Sequence, residues 1–255
     1  MSVKIRSLLF CLILLGAFQA QSWAFFPSTQ DIIDKLHERL GGLDTFEAEI
    51  TFEKNPYLTL SIWYKAQKWR QEWVLEKGGN ATLMSAAVGR GESFHAVFPE
   101  RSEYPLPILH FWFSPDTSDW LQSQWVSPDV KSYQFFELKP CLVLGADHNE
   151  MYRPQVWIHN EEFVPVRMIS WDGLHWQWLD YYDIGNYPLP HRCRLIFPTT
   201  TTLEMHISWK RINGEIPDTL FSEQAFREKF ASSGEPPADS EFFNFLLRRL
   251  PRAWQ

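Results

Sequence analysis

The sequence predicts a mainly β fold with helices (α+β): an antiparallel sheet in meander order that curls, with helical segments over its apolar side. Three observations predict it. About ten short segments alternate apolar and polar residues with a period of two, giving one dry and one wet face each. Turn signals such as Gly78-Gly79-Asn80 and Asp172-Gly173 separate them. A few segments show helical spacing instead, and a sheet with this many strands curls or closes.

The chain opens with an export pattern. Lys4 and Arg6 precede an apolar stretch from Leu8 to Phe18, and Ser22 and Ala24 place small residues at a cleavage site. A membrane-spanning helix needs about 20 apolar residues, and Gln19 and Gln21 interrupt this run. Cys11 lies too early in the apolar stretch to be a lipid attachment point. The expected organisation is a signal peptide over 1–24, one domain over 25–230, and a linker with a short amphipathic helix over 231–255. Cleavage near Ala24 is expected to leave an exported, soluble protein.

Ser28 caps the first helix with Asp31 three residues on. Ile32, Ile33, Leu36 and Leu40 form its apolar stripe, and Gly41-Gly42 ends it. Strands follow. Phe46, Ala48, Ile50 and Phe52 alternate with Glu47, Glu49, Thr51 and Glu53, and Asn55-Pro56 marks a turn. Leu58, Leu60, Ile62 and Tyr64 then alternate with Thr59, Ser61 and Lys65, and Trp63 breaks the polar side. Trp69, Trp73 and Leu75 oppose Arg70, Glu72 and Glu76, which the pattern places on the wet face. Phe94 to Phe98 is a short strand ended by Pro99.

The segment from Pro105 to Val126 interrupts the strands. Phe111-Trp112-Phe113 precedes a short helix begun by Asp116-Thr117-Ser118 and carrying Trp120, Leu121 and Trp125. Strands resume over 133–138, 141–144, 155–159 and 163–171. Leu174, Trp176, Trp178 and Tyr182 share one face, against His175, Gln177 and Tyr181. Cys193, Leu195 and Phe197 oppose Arg192 and Arg194; Leu203, Met205, Ile207 and Trp209 oppose Thr202, Glu204, His206 and Ser208. After a Ser-, Gly- and Pro-rich linker, Phe242, Phe243, Phe245, Leu246, Leu247 and Leu250 crowd a terminal helix with Arg248, Arg249 and Arg252 near its end. Such a helix docks on its domain, lies on a membrane surface or binds a partner.

Composition bounds the function. The net charge is −7, and Lys4 and Arg6 both lie in the leader, so the remainder is more acidic still. With no basic run, this argues against nucleic acid and anionic membrane surfaces. The chain has 13 Trp and 20 Phe, and only Trp23 of the tryptophans falls in the leader. That fits either a strand-rich core or an apolar cavity walled by large rings. Cys141 and Cys193 survive cleavage and form a candidate disulfide, although a spacing of 52 residues leaves bridged and free states both open.

Catalytic patterns are absent: no G-x-S-x-G, no H-E-x-x-H and no phosphate-binding loop. His206 and Glu204 share a strand face, but two ligands do not make a metal site. His191 and Cys193 share a face and are the best enzyme candidate, set against the commoner buried or bridged cysteine. The expectation is no enzyme activity, no metal and no cofactor. A curled sheet with an apolar concave face can hold an acyl chain, at about 0.8 kcal/mol per buried CH₂.

Several segments in order resemble the LolA-like family of periplasmic lipoprotein carriers. They are the helix over 29–40 followed by Phe46-Glu47-Ala48-Glu49-Ile50-Thr51-Phe52, and the pair Ile62-Trp63-Tyr64-Lys65 and Trp69-Arg70-Gln71-Glu72-Trp73. Further on are Gln155-Val156-Trp157-Ile158-His159 with Phe163-Val164-Pro165-Val166-Arg167, then Pro188-Leu189-Pro190, and the run from Ile212-Asn213 to Asp218, Leu220 and Phe221. The resemblance implies an incomplete antiparallel β-barrel covered by helical lid segments. It also implies a non-enzymatic carrier that shields acyl chains of lipoproteins or lipids, with inner-membrane donor and outer-membrane acceptor proteins as partners. Where the family's sorting carriers have Arg-Pro after the strand lysine, this chain has Ala66 and Gln67.

By strand parity the cavity wall is expected to comprise Phe46, Ile50, Leu60, Ile62, Val166, Met168, Trp176, Trp178, Leu195, Leu203, Met205 and Ile207. The competing expectation is an envelope interaction module of the same fold, with the 240–250 helix as its partner-binding element.

Overall fold

The computed structural model describes residues 27–100, 102–110, 117–199, 201–231 and 241–253, apart from the side chains of residues 119 and 241. The expected signal peptide, Phe111-Trp112-Phe113 and most of the linker lie outside the described residues.

Helix α1 (Thr29–Leu40) begins at a complete capping box. Ser28 Oγ accepts from Asp31 N–H at 3.0 Å, and Asp31 Oδ2 accepts from Ser28 N–H at 2.9 Å. Ile32 and Leu36 form its buried stripe, and the Gly41 N–H closes its end on His37 O at 2.6 Å. Strands β1 (Thr45–Phe52), β2 (Asn55–Lys65), β3 (Lys68–Lys77), β4 (Asn80–Arg90) and β5 (Ser93–Phe98) form one meander. After the short β6 (Tyr104–Pro105) and helix α2 (Thr117–Ser123) comes a second meander: β7 (Lys131–Phe136), β8 (Lys139–Leu144), β9 (Gln155–His159), β10 (Pro165–Ile169), β11 (His175–Ile184), β12 (Tyr187–Ile196) and β13 (Thr202–Ile212).

The two meanders join where β13 pairs with β1, giving one antiparallel sheet of twelve strands. The order runs from β5 at one edge to β7 at the other, so the sheet does not close into a barrel. It does curl. Gln71 Nε2 on β3 donates to Pro105 O at 2.6 Å, and the adjacent Leu106 lines a cavity with Trp176 and Trp178 of β11. β3 and β11 are five strand spacings apart, about 24 Å on a flat sheet. Neighbouring residues, with Cα atoms about 3.8 Å apart, reach both because the sheet bends around them.

The inner face is filled from four directions. Ile32 and Leu36 of α1, Leu106 to Leu109, Trp120 and Leu121 of α2, and Phe243 and Leu246 of α4 (Glu241–Arg249) share one core cluster with the strands. The terminal helix is therefore docked. Phe242 meets Phe52 edge-on at 5.8 Å, Phe243 meets Trp73 at 5.3 Å, and Phe245 meets Phe197 at 5.0 Å. Beyond it, β14 (Arg252–Ala253) pairs with β6, and Leu106 N–H donates to Pro251 O at 2.7 Å.

The outer face is also covered at β3–β5. A 3₁₀ turn (Asp218–Phe221) and α3 (Glu223–Phe230) pack Phe221, Phe226 and Phe230 on Ala86, Val88 and Ala96. Arg70, expected on a wet face, is consequently only 2% exposed. Its Nε donates to Glu72 Oε1 at 2.8 Å and its Nη1 to Leu220 O at 3.0 Å, while the guanidinium lies 5.4 Å from the ring centroids of both Phe226 and Phe230.

Other local expectations shift. Asn55 and Pro56 lie in β2, and the turn is Glu53-Lys54. Leu138 belongs to the β7–β8 turn, where Glu137 and Leu138 take φ of 48° and 66°. Strand β4 carries no alternation, because its run Met84 to Gly89 is buried on both faces. Gly89 is required there: a Cβ would meet Ser93 O at 2.3 Å and the Trp69 ring at 2.4 Å. Tyr182 is 62% exposed, since Asp180 leaves the extended conformation at φ 54° and breaks the alternation.

Candidate apolar ligand site

Of the twelve residues expected in a cavity wall, eleven lie in the main core cluster: Phe46 and Ile50 on β1, Leu60 and Ile62 on β2, Met168 on β10, Trp176 and Trp178 on β11, Leu195 on β12, and Leu203, Met205 and Ile207 on β13. Val166 packs instead with Cys141, Val143, Trp157 and Val164 in a separate cluster. A register shift between Pro165 and Arg167 moves it off the inner face.

Met168, Trp176 and Trp178 line a cavity of about 40 Å³. Its other walls come from Leu106 to Ile108, His110, Trp120, Gln124 and Pro251, where three covering pieces meet the sheet. Trp176 is 4% exposed, and its indole Nε1 is buried with no hydrogen-bond partner among the described residues. Burial lowers the His110 imidazole to about 4, partly opposed by its hydrogen bond to the Gly91 backbone carbonyl.

Two features that build this site lie outside the expected cavity wall. Gln71 lies between Trp69 and Trp73 on the inner face, fully buried, and fastens β6 through Pro105. Its parity was the available signal. The 106–110 segment has no period, so no signal marked it.

The candidate disulfide does not form: Cys141 and Cys193 are both free and buried. β8 and β12 are four strand positions apart in the sheet, about 19 Å along it, and the two residues belong to different clusters. Burial raises the Cys141 thiol to about 11 and the Cys193 thiol further, with Glu204 adding to the latter. A thiol held protonated in an apolar core is inert, which removes the Cys193–His191 nucleophile. Among the described residues no group of three or more His, Cys, Asp or Glu is placed to hold a metal ion. No described helix is long and apolar enough to cross a membrane.

Solved structures give the following comparisons. The chain is similar to the crystal structure of a LolA superfamily protein from Nitrosomonas europaea, at 15% identity and TM-score 0.44, covering 78% of this chain and 99% of that one. A DUF1329 family protein from Desulfovibrio piger matches at 13% identity and TM-score 0.41, covering 77% and 97%. The crystal structure of MucB matches at 14% identity and TM-score 0.29, covering 76% and 62%. No family model matches the sequence, and no curated protein matches it.

Proposed function

We propose that this protein is a periplasmic carrier that binds the acyl chain of a lipid or lipoprotein inside its curled sheet, without covalent chemistry. The observation that carries this reading is how the apolar face is covered. What packs on it is a set of separate pieces: the two-stranded β6–β14 pair, helices α1, α2 and α4, and the 106–110 segment. Three pieces, the 106–110 segment, α2 and the Pro251 link between α4 and β14, meet at a cavity whose sheet side is Met168, Trp176 and Trp178.

Ligand-sized pockets are typically about 300–1,000 Å³, well above the cavity of about 40 Å³. An acyl chain therefore enters by displacing a covering piece. The first turns of α4 are that piece, because their contacts with Phe52, Trp73 and Phe197 are ring contacts, while the end of the helix stays tied to β6 through β14. The exchange replaces one apolar occupant with another, so its free-energy cost is far below that of exposing the inner face to water. Loading and unloading would involve a membrane-bound donor and acceptor. The order of motifs shared with the lipoprotein carriers points the same way.

The test is uptake of brominated fatty acids by full-length protein, read by quenching of tryptophan fluorescence, alongside mass spectrometry of gently purified material. The expected result is saturable quenching through Trp176 and Trp178 and a co-purified lipid. Absence of both would overturn the reading.

A further inference from the structure

Beside the cavity lies an open groove of about 470 Å³ that shares Leu106, Gln124 and Pro251 with it. Its character differs. Trp125 and Trp171, 76% and 68% exposed, stand on its walls, and Arg248 and Arg249 enter from the end of α4 and Arg252 from β14. Glu92 and Asp172 also line it. Asp172 Oδ1 is engaged by Ser170 Oγ at 2.5 Å and by Leu174 N–H at 3.3 Å, and Arg252 is paired with Glu103. Arg248 and Arg249 make no ion pair with any described residue. Cations in the last turn of a helix offset its dipole, which accounts for their presence on α4 but not for their convergence with two exposed indoles.

We infer that this groove receives the phosphate-bearing headgroup of an anionic lipid whose acyl chain enters the adjoining cavity. The inference rests on the carrier reading above and names its ligand class. Charge complementarity supports it: two guanidiniums without an ion pair among the described residues gather at one place on a chain of net charge −7, and arginine forks match phosphate oxygens. Geometry supports it too, since the three shared residues make polar groove and apolar cavity one continuous site. Indole rings suit that boundary, with an apolar body and one N–H donor.

The experiment compares three probes on the full-length protein, with the acylated ones kept below their micelle-forming concentrations. They are a monoacylglycerol, its phosphate ester with the same acyl chain, and glycerol phosphate alone. Two partly exposed arginine contacts predict that the phosphate ester binds about tenfold tighter than the neutral lipid. Arg248→Gln combined with Arg249→Gln is expected to abolish that preference. Arg153→Gln, which removes one charge elsewhere, is expected to keep it. In the unmutated protein the preference is expected to shrink as salt rises, a readout independent of whether the double variant folds.

Equal binding of both acylated probes, or a preference indifferent to salt, overturns the headgroup assignment and leaves the carrier reading standing. No binding of either acylated probe overturns both. Glycerol phosphate binding as tightly as the acylated ester would make the groove a free-phosphate site and overturn the lipid assignment.

Discussion

Arg70 carries a full charge at 2% exposure, so its contribution depends on its partners. Glu72, the Leu220 carbonyl and two aromatic faces supply them. Removing one member of a buried ion pair leaves the other uncompensated, although Lys229, 2.9 Å from Glu72 Oε1, softens the loss here. Arg70→Ala is expected to cost about 3 kcal/mol, read as a lower urea midpoint. His110 gives a pH dependence. Its folded value of about 4 lies below the ordinary 6.5, so between those limits the unfolded chain binds a proton that the folded chain does not. Stability then falls as pH drops through 6.5 and levels off near 4, by up to about 3 kcal/mol. His175, lowered by burial and by Arg167, acts in the same direction. His110→Gln should flatten the slope in urea titrations run across that range; an unchanged slope would place the acid sensitivity elsewhere. Ala66 and Gln67 occupy the β2–β3 turn with φ of 47° and 71°. Proline, locked near −65°, does not fit at the second position, so the departure from the carriers' Arg-Pro pair is built into this turn.

At the scale of elements, α4 is the decisive piece. Its amphipathic pattern was plain, but the pattern was equally compatible with docking, a membrane surface or a partner. Docking was decided by Phe52, Trp73 and Phe197, which lie far from it in sequence and ring its apolar side. Leu246 is fully buried beneath it. Leu246→Ala is expected to cost about 2–5 kcal/mol and to speed uptake of a fluorescent fatty acid, because a looser helix yields more readily. Slower melting with unchanged uptake, or a stability loss without faster uptake, would mean that α4 is not the piece that moves. Strand β4 shows the opposite case. It escaped notice because α3 covers its outer face as the core covers its inner one, and a strand buried on both sides has no period-two signal.

For the whole molecule, the open sheet sets where stability resides. β1, β2, β12 and β13 each have a paired strand on both sides near the centre of the order, whereas β5 and β7 have one neighbour each. Phe135 and Leu138 are 74% and 94% exposed at the β7 edge. Amide hydrogen exchange is expected to be slowest in β1, β2, β12 and β13 and fastest in β5 and β7; interior β7 amides outlasting those of β1 would contradict it. The sequence by itself determined the antiparallel meander, the capped first helix and the inward set from Phe46 to Ile207. These follow from local periodicity, which each strand and helix carries alone. Only the tertiary structure decided that Val166 turns outward at a bulge, that Cys141 and Cys193 stay apart, that Arg70 is buried and that α4 fills the interior. Each of these depends on which distant segments share a face of the sheet, and strand parity does not encode that choice.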